Sequence, residues 1–199
     1  MRIAISGSHS LGKSTLIGDW VERHPRYTRE EEPYRALRDW YTIEFRQAST
    51  RWHNGLQLHY NIGRVNRYSS GSDCVIFDRC PVDYLAYSQY TADHGTTDIN
   101  DAFVQGMVPA VQDSLRSLDI LAFIPMSEEW PVPMEDDGIR PIDLQYRDEV
   151  DAIFKAIYRG NRYAVMPERN GPHLVEITGS RAERVAKLEQ AIATHSSGR

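Results

Sequence analysis

Short β-type runs alternate with longer amphipathic stretches along the whole chain. The runs cover residues 2–6, 27–30, 74–78, 119–124 and 173–178, and the second, which precedes Pro33, is weaker than the others. The third and fourth runs are almost entirely apolar, which is typical of strands buried on both faces of a parallel sheet. Parallel strands need long crossover connections, and the stretches between the runs are long enough to contain helices. The pattern therefore predicts a three-layer α/β fold, with helices on both faces of a parallel sheet.

The intervening stretches carry apolar residues at helical spacing. In segment 181–193 these residues are Ala182, Val185, Leu188 and Ile192, and segment 143–158 has the same kind of apolar face. We also expect a helix over residues 15–23 and a long helix over residues 43–68. We expect the tail, residues 195–199, to be frayed.

Segment 125–142 differs from its surroundings because it is rich in both proline and carboxylates. The prolines break regular structure and the carboxylates keep the segment solvated: Pro125, Pro131, Pro133, Pro141, Glu128, Glu129, Glu135, Asp136 and Asp137. Since the segment directly follows the fourth run, we expect a lid over a site at the strand ends. The alternative is a plain surface excursion.

Composition restricts the class of protein. A chain of 199 residues with 41% hydrophobic and 26% charged residues predicts one domain, residues 1–199. The net charge of −5 makes a nucleic-acid partner improbable but is compatible with a local positive site for an anionic ligand. Two cysteines, Cys74 and Cys80, are too few for a disulfide framework. No window approaches the ~18 apolar residues of a membrane span, and the first run is too short for a signal peptide. We therefore expect a soluble cytoplasmic protein.

The most specific motif directly follows the first apolar run. It fits the phosphate-loop pattern G-x-x-x-x-G-K-[ST] and comprises Gly7, Ser8, His9, Ser10, Leu11, Gly12, Lys13, Ser14 and Thr15. The glycines allow a tight turn with inward N–H groups, and the start of a helix adds positive charge. We expect Lys13 to contact the β- and γ-phosphates and Ser14 to offer its hydroxyl to Mg²⁺. His9 either contacts a phosphate or acceptor or faces solvent, and the solvent-facing interpretation is favoured.

An acidic residue ends the third run. In a phosphate-loop fold, Asp78 would lie beside the Ser14 hydroxyl and hold Mg²⁺ directly or through water. The alternative is that Asp78 caps the next turn.

From Asp78 onwards the chain resembles small phosphate-loop kinases. The D-R-x-x-x-D segment from Asp78 to Asp83 is similar to that of nucleoside and nucleotide kinases, and of the ribosylnicotinamide-kinase-like ATPase domains of bacterial NAD-biosynthesis regulators. Residues 119–125 and 137–141 are similar to the fourth strand and arginine-bearing lid of the latter group. Residues 177–181 resemble the nucleotide-kinase loop that touches adenine. The resemblance implies a sheet ordered 2-3-1-4-5 and ATP as the phosphoryl donor.

One further resemblance concerns a general base. Glu32-Pro33 is similar to the E-P segment after strand two of deoxynucleoside kinases, in which the glutamate accepts the proton of the acceptor hydroxyl. Those kinases have E-R-S where this chain has Asp78-Arg79-Cys80, so the match is incomplete and Asp78 stays open as an alternative base. A solvated acidic turn over residues 30–32 is the other interpretation.

The predicted helix over residues 43–68 carries a polar stripe beside an aromatic one. The polar stripe holds the candidate acceptor-binding residues His53, Gln57 and Arg64, together with Asn61, and Trp52 or Tyr60 would stack on the acceptor. An amphipathic helix with its polar face in water is the alternative. Asp83 is a further acceptor-binding candidate, or else a helix N-cap.

Guanidinium groups stabilise the charge that develops in phosphoryl transfer. Arg79 beside the metal-binding acid and Arg140 in the lid are the candidates for this role. Arg147 is a weaker candidate, since it could simply pair with Asp151 one helical turn away.

These observations favour an ATP- and Mg²⁺-dependent kinase for a small acceptor, namely a nucleoside, a nucleotide or a ribosylnicotinamide-like compound. The alternative is a regulatory ATP-binding switch that acts on a protein partner and needs no acceptor pocket. A nucleic-acid translocase is a distant third, because the chain is acidic and short. The oligomeric state stays open, and a homodimer is compatible with the sequence.

Overall fold

A computed structural model describes residues 1–68, 73–134 and 143–197 of the chain. Five parallel strands form one sheet, with bounds β1 Arg2–Ser6, β2 Thr28–Glu30, β3 Val75–Asp78, β4 Ile120–Phe123 and β5 His173–Glu176. Their order is β2-β3-β1-β4-β5, which confirms the predicted topology. In register, Ala4 of β1 lies opposite Phe77 of β3 and Leu121 of β4.

Seven α-helices lie within the described residues. Their bounds are α1 Lys13–Arg23, α2 Pro33–Leu37, α3 Arg51–Arg67, α4 Pro81–His94, α5 Asp101–Leu115, α6 Leu144–Tyr158 and α7 Arg181–Ser197. The last helix therefore extends past residue 193, and residues 195–197 of the tail that we expected to be frayed are helical. Residues 198 and 199 lie outside the described residues.

The predicted helix over residues 43–68 is wrong at its amino-terminal end. Helix α3 begins at Arg51 because Thr50 caps it, and Thr50 and His53 bond reciprocally to each other's backbone N–H. The preceding residues form a 3₁₀ turn, Arg46–Ala48, that packs against α4, where the Arg46 carbonyl oxygen accepts from the Thr91 hydroxyl.

Successive strand residues contribute alternately to two separate apolar cores, one on each face of the sheet. On one face, Ala4, Phe77 and Leu121 pack with residues of α3, α4, α5 and α6. On the other face, Ile3 and Ile5 pack with residues of α1 and α7. Burying each large apolar side chain contributes about 1.5–3 kcal/mol, so both helical layers are held to the sheet mainly by apolar contact. The three-layer prediction is confirmed.

The parallel arrangement brings the carboxyl ends of the strands to one edge of the sheet. Ser6, Glu30 and Asp78 end neighbouring strands there. Ligand sites of open α/β sheets lie at this edge, in the crevice where the connections diverge. None of the helices described is long and apolar enough to cross a membrane.

Candidate active site

The phosphate-loop motif forms the turn between β1 and α1. Gly7 and Gly12 have φ angles of +139° and +80°, values that side-chain-bearing residues rarely adopt. Gly7 also lies so close to β4 that an added Cβ would meet the Ile124 carbonyl oxygen at 2.5 Å. Helix α1 starts with Gly12 as its N-cap, so its first N–H groups face the loop and can bind an anion.

Lys13 is folded into this loop. Its Nζ donates to the carbonyl oxygen of Ser8, and only 5% of the residue is exposed. Burial lowers the pKa of Lys13 from 10.5 to about 7 and the charge of Arg79 adds to the decrease, while Asp83, Asp78 and Glu32 oppose it. An anion bound in the loop would favour the protonated amine.

Ser14 and Asp78 are adjacent at the mouth of the loop. The Ser14 hydroxyl donates a 2.7 Å hydrogen bond to Asp78 Oδ2, and Nη2 of Arg29 lies 3.6 Å from the same oxygen. Asp78 is not a cap, since the N-cap of α4 is Cys80. A hydroxyl beside a carboxylate oxygen is a donor set that suits Mg²⁺ completed by phosphate oxygens and water. The described residues hold no group of three or more His, Cys, Asp or Glu side chains suited to a metal.

All three guanidinium nitrogens of Arg79 donate hydrogen bonds to other residues of the chain. Its Nε and Nη2 donate to Glu32 Oε1 at 3.0 and 2.9 Å, and its Nη1 donates to the Gly7 carbonyl oxygen and the Tyr87 hydroxyl. Burial opposes the charge of Arg79, but Tyr87, Glu32 and Asp83 outweigh burial and raise its pKa. This geometry fits a residue that fixes Glu32 better than one that is free to reach a transferring phosphoryl group.

Asp83 lies behind Arg79, with no exposed surface. Ser6 Oγ donates to Asp83 Oδ1 at 2.5 Å and also bonds Tyr158 OH at 2.7 Å. Burial raises the pKa of Asp83 to about 6, against the opposing charges of Arg79 and Lys13. Asp83 is the third residue of α4, so the N-cap interpretation is wrong.

The acidic stretch at the end of β2 is not a solvated turn. Glu30 and Glu32 are 4% and 9% exposed, and Glu30 pairs with Arg64 and accepts from Tyr68. Only the middle glutamate, Glu31, has a side chain that is about half exposed (51%).

A narrow cavity opens beside Glu32 and Arg79. Polar side chains and aromatic rings line it together: His9, Phe45, Arg46, Ser49, Asn54, Gln57, Tyr84, Tyr87, Thr91 and Tyr146. The side-chain amide of Asn54 is held at both ends, since Ser49 Oγ donates to Asn54 Oδ1 at 2.7 Å and Asn54 Nδ2 donates to Ser88 Oγ at 3.0 Å. Such a lining can bind a small ring compound with polar edges.

The structure separates the predicted acceptor-binding residues. Gln57 lines the cavity and donates to the His53 carbonyl oxygen at 3.3 Å. The ring of His53 caps α3, and Arg64 pairs with Glu30 and Tyr60 at the sheet edge. Neither His53, Arg64 nor Asp83 is among the described residues that line the cavity.

The polar face of α3 is turned inward, which excludes the interpretation of a wholly solvated face. Asn54, Gln57 and Asn61 are buried, whereas Trp52, expected as a stacking residue, is 51% exposed. His9 also differs from expectation. It is only 3% exposed and lies against Tyr146, with ring centroids 4.9 Å apart, at the wall shared by the phosphate loop and the cavity. Sequence spacing gave no sign of Tyr87 or Tyr146, which only tertiary packing brings there.

The described part of the expected lid lies beside the phosphate loop. Residues Trp130 to Pro133 line a groove together with Gly12, Thr15 and the loop 179–181. Arg147 donates to the Val132 carbonyl oxygen at 2.9 Å and Asp151 pairs with Lys155, so these contacts take the place of the Arg147–Asp151 pair considered as an alternative role for Arg147. Arg140, with the rest of segment 135–142, lies outside the described residues.

Comparisons with known proteins agree with this geometry. A family model described as an AAA domain matches residues 2–174, so the chain belongs to this family. No curated protein matches the chain. The structure is similar to a NadR protein in complex with NR (TM-score 0.65, 14% identity) and to a NadR protein in complex with NAD and AMP-PNP (0.64, 13%). In both comparisons 98% of this chain is covered, and the chain spans only about half of the NadR chains, 51% and 49%.

A third similar structure is that of a kinase of matching size. Deoxyadenosine kinase from M. mycoides, solved with its products dCMP and dCDP, has a TM-score of 0.64 and 14% identity, with 98% of this chain and 100% of that chain covered. These similarities show a phosphate-loop, nucleoside-kinase-like fold and confirm the resemblance that the motifs indicated.

Proposed function

We propose that this chain is an ATP- and Mg²⁺-dependent phosphotransferase that acts on a small nucleoside-like acceptor. One observation carries the proposal: Glu32 and Arg79 line both the groove at the phosphate loop and the neighbouring cavity. A donor held in the first and an acceptor held in the second would meet at these two residues. Direct transfer requires such a junction.

The donor side uses the phosphate loop. Its N–H groups and Lys13 would hold the β- and γ-phosphates, and Ser14 and Asp78 would hold the metal ion. Bound Mg²⁺ supplies neutralisation of the phosphate charges. Lys13 can move from the Ser8 carbonyl to a phosphate oxygen, a stronger partner for an ammonium group.

The acceptor side uses Glu32 as the base. Asp78 accepts from Ser14 and is the proposed metal ligand, whereas Glu32 lines the cavity and accepts from Arg79. Glu32 would accept the proton of the acceptor hydroxyl, and the two hydrogen bonds that Arg79 donates to Glu32 Oε1 would keep the carboxylate aligned. Arg140 remains a proposed partner for the transferring group.

The acceptor class follows from the lining of the cavity. Amides at Asn54 and Gln57 can pair with a base or carboxamide, and Phe45 and the tyrosines offer ring surfaces. The similar structures are complexes with NR, with NAD and AMP-PNP, and with the products dCMP and dCDP, which supports a nucleoside-like acceptor and ATP as donor.

The test is ATP turnover with Mg²⁺ against a panel of nucleosides, nucleoside monophosphates and nicotinamide riboside. We expect one acceptor to stimulate turnover strongly, Lys13→Ala to abolish it, and Glu32→Gln to lower kcat about 100-fold with little change in ATP affinity. Glu22→Gln, at an exposed glutamate of α1, is the matched control and should behave like the wild type. Retained transfer in Lys13→Ala would contradict the proposal.

The cavity also distinguishes transfer from a regulatory switch. A switch that signals to a protein partner needs no acceptor pocket, so the lined cavity favours the phosphotransferase. Tight ATP binding with a conformational change, but with no product from any acceptor, would support the switch instead.

A further inference from the structure

A buried arginine of the last helix reaches the phosphate loop. Arg184, in the first turn of α7, donates from Nη1 to the Leu11 carbonyl oxygen at 2.6 Å and from Nε to the Gly179 carbonyl oxygen at 2.9 Å. Its guanidinium packs against the loop so tightly that a Cβ on Gly12 would lie 3.0 Å from Nη1.

The charge of Arg184 has no anionic partner among the described residues. Only 7% of the residue is exposed, and burial lowers its pKa with no opposing carboxylate. Arg79, which is 4% exposed, differs because it pairs with Glu32, whereas Arg147, which is 9% exposed, also donates to a carbonyl oxygen, that of Val132. A buried cation bound only to neutral carbonyl groups is costly, and a ligand that is anionic or electron-rich would offset that cost.

Arg184 lies at a groove that continues from the phosphate site. Gly12, Thr15, Val132 and Pro133 line both the phosphate groove and this second one, which Trp130 and the loop 179–181 also line. A nucleotide with its terminal phosphates at Lys13 would extend its nucleoside end into this groove. The indole of Trp130, 37% exposed, offers a ring surface there.

We propose that Arg184 is a donor-binding residue that contacts the nucleoside end of the bound nucleotide, in the groove that Trp130 also lines. Arg184 would use Nη2 and the face of its guanidinium, since Nε and Nη1 are bonded to carbonyl groups. This inference rests on the proposed function, because it takes the phosphate loop as the site of the donor phosphates.

The experiment compares two probes by calorimetry, ATP and inorganic tripolyphosphate, each with Mg²⁺. Tripolyphosphate has no nucleoside end, so it reports on the phosphate loop alone. We expect Arg184→Met to weaken ATP binding about tenfold or more and to leave tripolyphosphate binding within about twofold of the wild type. Lys187→Met is the matched control, since Lys187 of the same helix donates to the Thr178 carbonyl oxygen and lies outside the groove.

Equal losses for the two probes would overturn the inference, because Arg184 would then only shape the loop, and so would unchanged ATP binding. Arg184→Lys, which keeps the charge, guards against a folding defect and should bind ATP with intermediate affinity. If the wild type bound neither probe, the proposed function would fail, and this inference with it. If Lys13→Ala lost both probes while the Arg184 variants kept ATP, only the inference would fail.

Discussion

The Ser14 hydroxyl donates a 2.7 Å hydrogen bond to the carboxylate of Asp78, a residue 64 positions away in the chain. The parallel pairing of β1 with β3 makes this contact, because Ile5 and Asp78 are register partners and the loop after β1 turns back towards the end of β3. Two hard oxygen groups are thus in place before any metal binds, and little reorganisation would be needed for Mg²⁺.

Asp78→Asn should weaken metal binding while leaving the fold intact. The amide oxygen can still accept from Ser14, but the charge that attracts the metal is lost. We expect turnover with the best acceptor to fall roughly 100-fold, which is about 2.7 kcal/mol. Titration with Mn²⁺ in the presence of ATP, followed by electron paramagnetic resonance, should show weaker metal binding. Asp113→Asn, at an exposed residue paired with Arg116, should leave both readouts unchanged.

The Arg79–Glu32 pair should be strongly coupled in stability. Arg79→Met leaves the buried carboxylates of Glu32 and Asp83 without their cation, and we expect a loss of about 3–5 kcal/mol in the free energy of unfolding. The double variant Glu32→Gln/Arg79→Met also removes the unpaired carboxylate of Glu32, so it should recover part of the lost free energy of unfolding. Urea unfolding of the four proteins in the cycle measures the coupling. Simple additivity would show that the pair is not energetically linked.

Local motifs were sufficient to predict much of the fold and the phosphate loop. The short β-type runs predicted all five strands, and the Gly-Lys-Ser pattern predicted the loop, because in both cases neighbouring residues determine the geometry. The position of Asp78 beside the Ser14 hydroxyl was predictable because Asp78 ends a buried strand of that fold.

Long-range partners decided the rest of the site. The sequence does not distinguish Glu30, Glu31 and Glu32 from one another. In the structure Glu30 is buried beside Arg64 and Glu32 beside Arg79. The cap at Thr50 rotates His53 away from the cavity that Gln57 faces. Arg184 reaches the loop from 173 positions along the chain, and no local pattern marks such a contact.

Gly7 and Gly18 offer a matched pair of glycine substitutions. At Gly7, φ is +139° and an added Cβ would meet the Ile124 carbonyl oxygen at 2.5 Å, whereas a Cβ on Gly18, inside α1, would have no atom within 4 Å beyond its chain neighbours and the nearby helix backbone. We expect Gly7→Ala to destabilise the protein by more than ~2 kcal/mol, and Gly18→Ala to stabilise it by about 0.5–1 kcal/mol. Thermal unfolding followed by circular dichroism compares them. Equal stability of the two variants would contradict the strained geometry at Gly7.

Asp119 should make the stability of the fold dependent on acidic pH. This residue directly precedes β4. Its carboxylate accepts from the backbone N–H of Arg2 at 2.8 Å and from Nε and Nη2 of the Arg2 side chain at 3.1 Å each. Burial alone would raise the pKa of Asp119, but these hydrogen bonds and the charge of Arg2 outweigh it and lower the pKa from 3.8 to about 2.

The sign follows from the difference between the folded and unfolded states. A pKa that is lower in the folded state contributes stability above the unfolded value near 3.8, and that stability is lost as the pH falls towards 2. Asp119→Asn should therefore cost about 1–2 kcal/mol at pH 7, and the gap to the wild type should narrow between pH 4 and pH 2, as the wild-type carboxyl itself becomes neutral. Urea unfolding at pH 7, 5 and 3 measures this gap, with Asp113→Asn as an exposed control that should change stability by less than about 0.5 kcal/mol. A gap that stayed constant with pH would mean that Asp119 acts through packing, and the Arg2–Asp119 ion pair would contribute nothing to the joining of β1 and β4.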